Sequence, residues 1–237
     1  EAEARRIFQE IEPRLREMGS KKEKDALGSL CRTMAIMDPK TRGQEAFELA
    51  KKNAINGKAS DWETLGWFLD DGIGVVKDEK KGFEWYRKAA EAGSSWGQKY
   101  LGYDYVNGIG VGEDCALALS WYRKSAAQGN EMAMGGVAWC YEKGEGVEKD
   151  EKEALRWYRQ AVDKGDVWSM GQMARMYEDG RGTEKNPTEA FRWWNRQMEE
   201  GDFWAPENVA RCHANGIGDS KESGRGGQVG MAKFVPS

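Results

Sequence analysis

The stretch that decides the fold is residues 101–129, LGYDYVNGIGVGEDCALALSWYRKSAAQG, because its pattern recurs along the chain at a fixed step. Its last residue belongs to a series of glycines spaced 36 residues apart: Gly57, Gly93, Gly129, Gly165 and Gly201. Series with the same step are the tryptophans Trp85, Trp121, Trp157 and Trp193, and the Gly-x-Gly pairs that begin at Gly72, Gly108, Gly144, Gly180 and Gly216. Self-similarity at such a period predicts a repeat array. We call each set of positions 36 residues apart a column.

The residue pattern of each repeat predicts two helices joined by a glycine turn. In the earliest clear copy, the first helix spans 59–71 and places Leu65 and Leu69 on one side. It ends at Gly72, since glycine adopts the left-handed conformation that terminates helices. The second helix follows an N-cap column and ends at Gly93. The N-cap column consists of Asp78, Asp114, Asp150 and Asn186. A row of carboxylates is also a candidate for metal or acid–base chemistry, but capping accounts for this column.

Several columns together identify a known repeat. In the second full copy they read Leu101-Gly102-x-x-Tyr105-x-x-Gly108-Ile109-Gly110-Val111, then Asp114 and Ala118, then Trp121-Tyr122, Ala126-Ala127 and Gly129. This pattern resembles the Sel-one-like repeat, a relative of the tetratricopeptide repeat. The resemblance implies an all-α fold: a right-handed α/α solenoid (superhelix) of 36-residue helix-turn-helix repeats. It also implies an adaptor role, although the fold by itself specifies no partner.

The columns divide the chain into five segments. We expect an N-terminal capping helix at 1–21, a degenerate repeat at 22–57, four full repeats at 58–201 and a half repeat at 202–218. Residues 219–237 are expected to be an irregular, glycine-rich tail. Solenoid ends expose apolar surface that must be covered. The tail is therefore expected either to cover the last helix or to occupy the groove; the alternative is a native protein that continues into further repeats.

Composition argues against several classes of function. The 237 residues carry a formal net charge of −4, which disfavours a general nucleic-acid binder. No stretch approaches the roughly 20 apolar residues of a membrane span. One histidine and four cysteines without C-x-x-C spacing offer no metal or redox motif. We therefore expect no catalytic residue, no metal and no cofactor. Unpaired cysteines favour a reducing compartment such as the cytoplasm, while an exported location stays open because the sequence begins at Glu1 rather than Met.

Two columns are predicted to face the core. The invariance of the Trp85 column, which continues through Trp121, Trp157 and Trp193, marks it as core. The single histidine, His213, shares its column with Leu69 and three tyrosines, so we expect it to be packed and hydrogen-bonded.

The side of the first helix opposite its buried arc is the candidate binding surface. At 100° per residue, positions 60 and 67 lie on this side. Their columns pair Ser60 with Trp67, Trp96 with Tyr103, Met132 with Trp139, Trp168 with Arg175 and Trp204 with Arg211. If first helices line the concave side, as in tetratricopeptide arrays, these residues form an aromatic ladder that becomes basic toward the C-terminal end. The predicted partner-binding residues are Trp67, Trp96, Tyr103, Trp139, Trp168, Arg175, Trp204 and Arg211.

The ladder favours a non-catalytic scaffold or adaptor that binds a peptide or partner protein through the concave face. Trp, Tyr and Arg are enriched at binding hot spots, and an extended peptide or partner helix fits a groove. An inhibitor or immunity protein is a specialised form of this role. One alternative is that the ladder tryptophans pack inside the solenoid. Another is that the ladder binds or hydrolyses carbohydrate, with Glu142, Glu178 or Asp179 as carboxyl groups. A sugar ladder should tolerate loss of Arg175 and Arg211, whereas a peptide groove with a charged anchor should not.

Overall fold

The computed structural model describes residues 43–55 and 57–217, and all regular structure within these ranges is helical. The helices are α1 (Gly43–Ile55), α2 (Ala59–Asp71), α3 (Glu79–Glu91), α4 (Ser95–Asn107), α5 (Cys115–Ala127), α6 (Glu131–Lys143), α7 (Glu151–Asp163), α8 (Val167–Asp179), α9 (Pro187–Glu199) and α10 (Ala205–Ala214). Helices α2, α4, α6 and α8 are the first helices of the four full repeats, and α3, α5, α7 and α9 are the second helices. The chain is an all-α repeat solenoid, which confirms the predicted fold class.

The predicted ends of the chain lie outside the described residues. These are the capping helix at 1–21, the first half of the degenerate repeat and the tail at 219–237. Helix α1 stands 36 residues before α3, in the place of a second helix. The chain divides into two compact units, Glu1–Ser169 and Met170–Ser237. The first contains α1 to α7 and the first turn of α8, and the second contains the rest of α8 with α9 and α10.

The glycine turns carry a close contact between one repeat and the next. Both glycines of a turn have positive φ, as at Gly108 (66°) and Gly110 (68°). A Cβ at Gly110 would overlap the carbonyl oxygen of Glu79 at the start of α3, and a Cβ at Gly146 would overlap that of Cys115 at the start of α5. Any other residue would therefore meet both backbone strain and a clash with backbone atoms. The turn glycines of the sequence pattern are confirmed, and the contact explains why the second glycine recurs.

The N-cap column caps the second helices as predicted. Asp114 Oδ1 accepts a hydrogen bond from the Leu117 N–H at 2.9 Å. The backbone N–H of Asp114 in turn donates to the carbonyl oxygen of Tyr105 at 2.9 Å, so the same residue also closes the glycine turn. The equivalent capping bonds are present at Asp78, Asp150 and Asn186. Capping thus accounts for the recurring acidic column.

The core of the first unit is built from tyrosine rings packed against small residues. Tyr86, Tyr122 and Tyr158, which occupy one column of the second helices, are buried. A Cβ at Gly102 of α4 would lie 2.8 Å from the Tyr122 ring, and a Cβ at Gly66 of α2 would lie 2.8 Å from the Tyr86 ring. Glycine at these positions lets the two helices of a repeat approach closely.

The tryptophan column, expected in the core, is only half-buried at Trp85, Trp121, Trp157 and Trp193. This corrects the prediction. The next residue along the helix, a buried tyrosine or tryptophan, lies about 100° further round and faces the core instead. The column's indole rings pack at the rim of the core. Basic side chains lie over three of them; the Lys124 ammonium, for example, is 3.8 Å from the centroid of the Trp121 ring.

His213 is exposed, and the prediction of a packed core histidine is wrong. Its ring makes a T-shaped contact with Phe191, with the centroids 5.0 Å apart. The physical reason is that this column lies at the rim of the core, where Tyr105, Tyr141 and Tyr177 are themselves half-buried. A polar ring at that position is therefore accommodated at the surface.

Asp104 is a carboxylic acid in an otherwise apolar core column. The other described members of the column are Phe68, Cys140, Met176 and Cys212. Asp104 is 1% exposed, and both carboxyl oxygens lack a hydrogen-bond partner among the described residues. Burial raises the pKa of Asp104 to about 8; the Asp70 carboxylate contributes in the same direction and the Lys99 ammonium opposes it.

The turn contact predicts that two glycine substitutions lower the free energy of unfolding by different amounts. Gly129 also has positive φ, but no atom lies within 4 Å of the position its Cβ would take. Gly129→Ala should therefore cost only the backbone strain, about 1–2 kcal/mol. Gly110→Ala adds the overlap with Glu79 and should cost about 3 kcal/mol or more. Urea unfolding followed by circular dichroism measures both, and equal losses would contradict the role assigned to the turn contact.

The buried carboxyl group predicts a pH-dependent gain from Asp104→Met. The unfolded chain releases this proton near the ordinary pKa of 3.8, but the folded chain releases it only near 8. The contribution of Asp104 to the free energy of unfolding should therefore fall as the pH rises from 4 to 8. Relative to its effect at pH 4, the substitution should add about 2–5 kcal/mol of stability at pH 8. The isosteric Asp104→Asn should remove the same pH dependence; a difference from the wild type that is constant with pH would refute the assignment.

Candidate functional site

The first helices of the first unit share one face. Helix α4 contacts both α2 and α6 directly, beyond the contacts of these helices with the second helices. We call the surface that they form with the start of α8 the first-helix face. Exposed on it are Trp96 and Tyr103 of α4, Met132 of α6 and Trp168 of α8. Tyr103 and Trp168 are 46% and 47% exposed, and clustered exposed apolar surface of this kind marks interaction sites.

A cavity of about 380 Å³ opens on the first-helix face. Its lining residues are Lys99, Tyr103, Val106, Asn107, Tyr122, Met132, Gly136, Trp139, Asp166 and Trp168. Three predicted partner-binding residues, Tyr103, Trp139 and Trp168, meet here from three successive first helices. The volume lies within the range of pockets that enclose small ligands. We call this space the groove cavity.

Lys99, which the repeat pattern did not indicate, lies half-buried in the wall of the groove cavity. Its ammonium is 4.1 Å from the centroid of the Tyr100 ring and 5.7 Å from that of Tyr103. Burial lowers the pKa of Lys99, while the carboxyl groups of Asp104 and Asp166 act in the opposite direction. The available signal was the column itself, in which Glu63 precedes Lys99 and glycines follow it.

Asp166 also lines the cavity and has a structural role. It is the residue before α8, and its Oδ2 accepts hydrogen bonds from the Ser169 N–H at 3.0 Å and from the Ser169 hydroxyl. Burial raises the pKa of Asp166, and the bonds from Ser169 oppose that shift. This side chain therefore caps the helix that presents Trp168 to the cavity.

Two other predicted residues of the first unit stand apart from the cavity lining. Trp96 lies on the first-helix face, with its ring centroid 6.2 Å from that of Tyr100. Trp67 is half-buried and packs on the cluster of Ala46 and Phe68 between α1 and α2. For Trp67 the structure favours the alternative that the side chain packs inside the solenoid.

The remaining predicted residues lie in the second unit. Arg175 is exposed, with its guanidinium carbon 5.9 Å from the centroid of the Trp194 ring. Arg211 already has a partner, because its guanidinium donates to both carboxylate oxygens of Glu178, with Nη2 3.0 Å from Oε2. The hydrogen bond from Arg211 lowers the pKa of Glu178.

Trp204 is 68% exposed and precedes α10 instead of lying within it. The half repeat is predicted to begin at 202, whereas α10 begins at Ala205, two residues later than a 36-residue step from the start of α8 at Val167. Pro206 occupies the first turn of α10, where proline is favoured because its missing N–H has no intrahelical acceptor. The later start leaves Trp204 just outside the helix.

The carboxyl groups considered for carbohydrate chemistry are engaged within the protein. Glu142 is buried, and its Oε2 accepts a hydrogen bond from the Tyr158 hydroxyl at 2.7 Å. Glu178 binds Arg211, and Asp179 Oδ2 lies 3.1 Å from Nε of Arg181. None of the three lines the groove cavity.

The described residues were also compared with the requirements of a metal site and of a reactive thiol. Within 43–55 and 57–217, no three His, Cys, Asp or Glu side chains are grouped as a metal site requires. Cys115, Cys140 and Cys212 are free thiols, and burial raises the pKa of Cys140 to about 12, so this thiol stays protonated at neutral pH. The helices of the described part lack the combination of length and apolar character that crossing a bilayer needs.

Solved structures share this fold. A protective antigen of uropathogenic Escherichia coli strains with an SLR fold is 28% identical (TM-score 0.66), and the match covers 85% of this chain and 43% of the antigen. This chain thus spans less than half of the antigen's length. A Sel1 repeat protein from Oxalobacter formigenes is 30% identical (TM-score 0.65), over 79% of this chain and 75% of that one. An immunity protein from Pseudomonas aeruginosa, 19% identical over 79% and 70% of the two chains, shares the fold (TM-score 0.60).

The repeats also match a family model. The Sel1 repeat model matches residues 65–94, 97–130, 131–166 and 169–196, which together make up more than half of the chain. No curated protein matches the chain. Proteins built from Sel1 repeats are generally non-enzymatic scaffolds for protein interaction. The four matched repeats and the solenoid of paired helices lead to one conclusion: the chain belongs to the Sel1 repeat family.

Proposed function

We propose that this protein is a non-catalytic scaffold that holds a segment of a partner protein on its first-helix face, with the groove cavity as the main anchor. The observation that carries the proposal is the meeting of Tyr103, Trp139 and Trp168, from three successive repeats, around one cavity. Aromatic side chains of this size contribute large contact area for little lost conformational freedom, which is why they dominate binding hot spots.

The spacing of the helices suits an extended ligand. Neighbouring packed helices lie about 10 Å apart, so a ligand that reaches from α4 to α8 spans about 20 Å. An extended chain rises about 3.3 Å per residue, so roughly six residues cover that distance. A segment of this length could place one side chain in the cavity and others on Tyr103 and Trp96.

The same groove would serve a specialised role as an inhibitor or immunity protein, in which the bound segment belongs to the protein that is blocked. Direct catalysis is not part of the proposal. The carboxyl group in the cavity wall, Asp166, caps α8, and Glu142 is buried against Tyr158. Carbohydrate binding to the same rings is the competing function, and the experiment below separates the two.

The proposal predicts that Trp139→Ala removes partner binding, whereas Trp157→Ala does not. The two residues are matched, because both are half-buried and both pack on the same core cluster. Trp139 lines the groove cavity, and Trp157 lies on a second helix outside its lining. Hot-spot tryptophans contribute about 2 kcal/mol or more, so recovery of the partner should fall about thirtyfold with Trp139→Ala.

The measurement is affinity capture from source-cell extract on the immobilised wild type and both variants, with quantitative mass spectrometry of the retained proteins. Circular dichroism and thermal melting check that each variant is folded. A protein that is retained by the wild type and by Trp157→Ala, and lost with Trp139→Ala, supports the groove. Retention that is equal on all three chains excludes it. Trp139-dependent binding on a glycan array, without a captured protein, would favour carbohydrate.

A further inference from the structure

Neighbouring repeats differ in the residue that packs on the buried tyrosine of the second helix. The ring of Tyr86 is stacked by the ring of Tyr100, with centroids 4.7 Å apart and planes inclined by 14°. One repeat later, Tyr122 is the equivalent of Tyr86, and Gly136 is the equivalent of Tyr100. The third full repeat therefore lacks the ring that its neighbour has. The groove cavity borders both Tyr122 and Gly136, so the open space coincides with the missing ring.

The chain cannot supply that ring from position 136. A Cβ at Gly136 would lie 2.9 Å from the Tyr122 ring, because the backbone of α6 itself approaches the ring. Glycine is thus required for packing here, and no side chain from position 136 extends into the cavity. A ring that entered from outside would contact Tyr122, Trp139 and Trp168, and aromatic pairs are favoured beyond the area that they bury.

Lys99 adds a charge requirement to the same cavity. Its ammonium lies over the rings of Tyr100 and Tyr103, and it takes part in none of the ion pairs between described residues. Asp104 and Asp166 act on it only at longer range. The Lys99 ammonium is therefore available to an anionic group of a ligand, with which it would form a charge-assisted hydrogen bond.

The neighbouring acids limit which anion fits. Asp166 lines the cavity and Asp104 lies in the core behind it, so each carboxyl group that is ionised repels an incoming anion. Lys99 is the one basic residue among the described residues that line the cavity, so it matches the single charge of a carboxylate but leaves a doubly charged phosphate half compensated.

Resting on the proposed function, we infer that the groove cavity recognises a segment in which an aromatic side chain stands next to a carboxylate. The aromatic ring occupies the groove cavity beside Tyr122, Trp139 and Trp168, and the carboxylate binds the Lys99 ammonium. The carboxylate is either an Asp or Glu side chain or the C-terminus of the partner chain.

The test selects peptide ligands from a random library, so it does not require the natural partner to be known. A library of random 12-residue peptides, displayed with a free C-terminus, is enriched on the full chain. Enriched peptides are then synthesised with a free C-terminus, with an amidated C-terminus and with each Asp or Glu changed to its amide. We expect an aromatic residue beside an acidic group in most of them. The amidated and amide-substituted forms show whether the terminus or a side chain binds.

Lys99→Met is the decisive variant, and Lys124→Met is its control. Lys124 also lies on an aromatic ring, that of Trp121, but it is outside the cavity lining. A charge-assisted hydrogen bond corresponds to about a tenfold to hundredfold change in affinity. Lys99→Met should therefore raise Kd by that factor, and Lys124→Met should leave it unchanged, as measured by fluorescence anisotropy on variants shown to be folded.

Two failures are distinguishable. Peptides that need Trp139 but lack an acidic group, or that bind Lys99→Met as tightly as the wild type, overturn this inference and leave the proposed groove standing. Failure to enrich any peptide whose binding depends on Trp139 overturns the proposed function, and the inference with it.

Discussion

In the first unit, the backbone contact between a glycine turn and the start of the preceding second helix sets how one repeat stacks on the next. Gly110 lies so close to the Glu79 carbonyl that no side chain fits, and Gly146 meets Cys115 in the same way. With that distance set, the first helices are brought within reach of one another, and their outward columns form a shared surface. The groove cavity depends on this arrangement, because its walls come from three repeats.

The 36-residue repeat made most of the fold predictable from the sequence. The candidate site was less predictable, because it depends on positions where one repeat differs from the next. Glycine turns and caps depend on local backbone chemistry, so the positions of α2 and of its repeats follow from the columns. The half-burial of Trp121 was missed, because one residue's rotation round a helix decides which of two adjacent aromatic columns faces the core. Helix α10 begins two residues later than a 36-residue step from α8 would place it, and Pro206 lies in its first turn.

Within the candidate site, the periodicity of the first helix was enough to select Tyr103, Trp139 and Trp168, since exposure follows from helical phase. The contribution of Lys99 and Gly136 was not accessible in this way. Their importance lies in a ring stack, Tyr86 on Tyr100, that is present in one repeat and absent in the next. A sequence column records that difference as tyrosine against glycine, but only packing shows that it leaves a cavity.

The turn contact has a consequence for how such arrays change in length. It is made with backbone atoms, and the residues that it meets differ from copy to copy: Gly43, Glu79 and Cys115. Because this contact involves the backbone of the neighbouring repeat, it does not depend on which side chains stand at the start of that helix. Duplication or loss of one 36-residue unit in the gene would therefore leave matching junctions on both sides, while each copy's outward residues stay free to diverge. The array can gain a repeat while keeping the same backbone contact between repeats. Substitutions at outward-facing positions can then change the binding surface one repeat at a time.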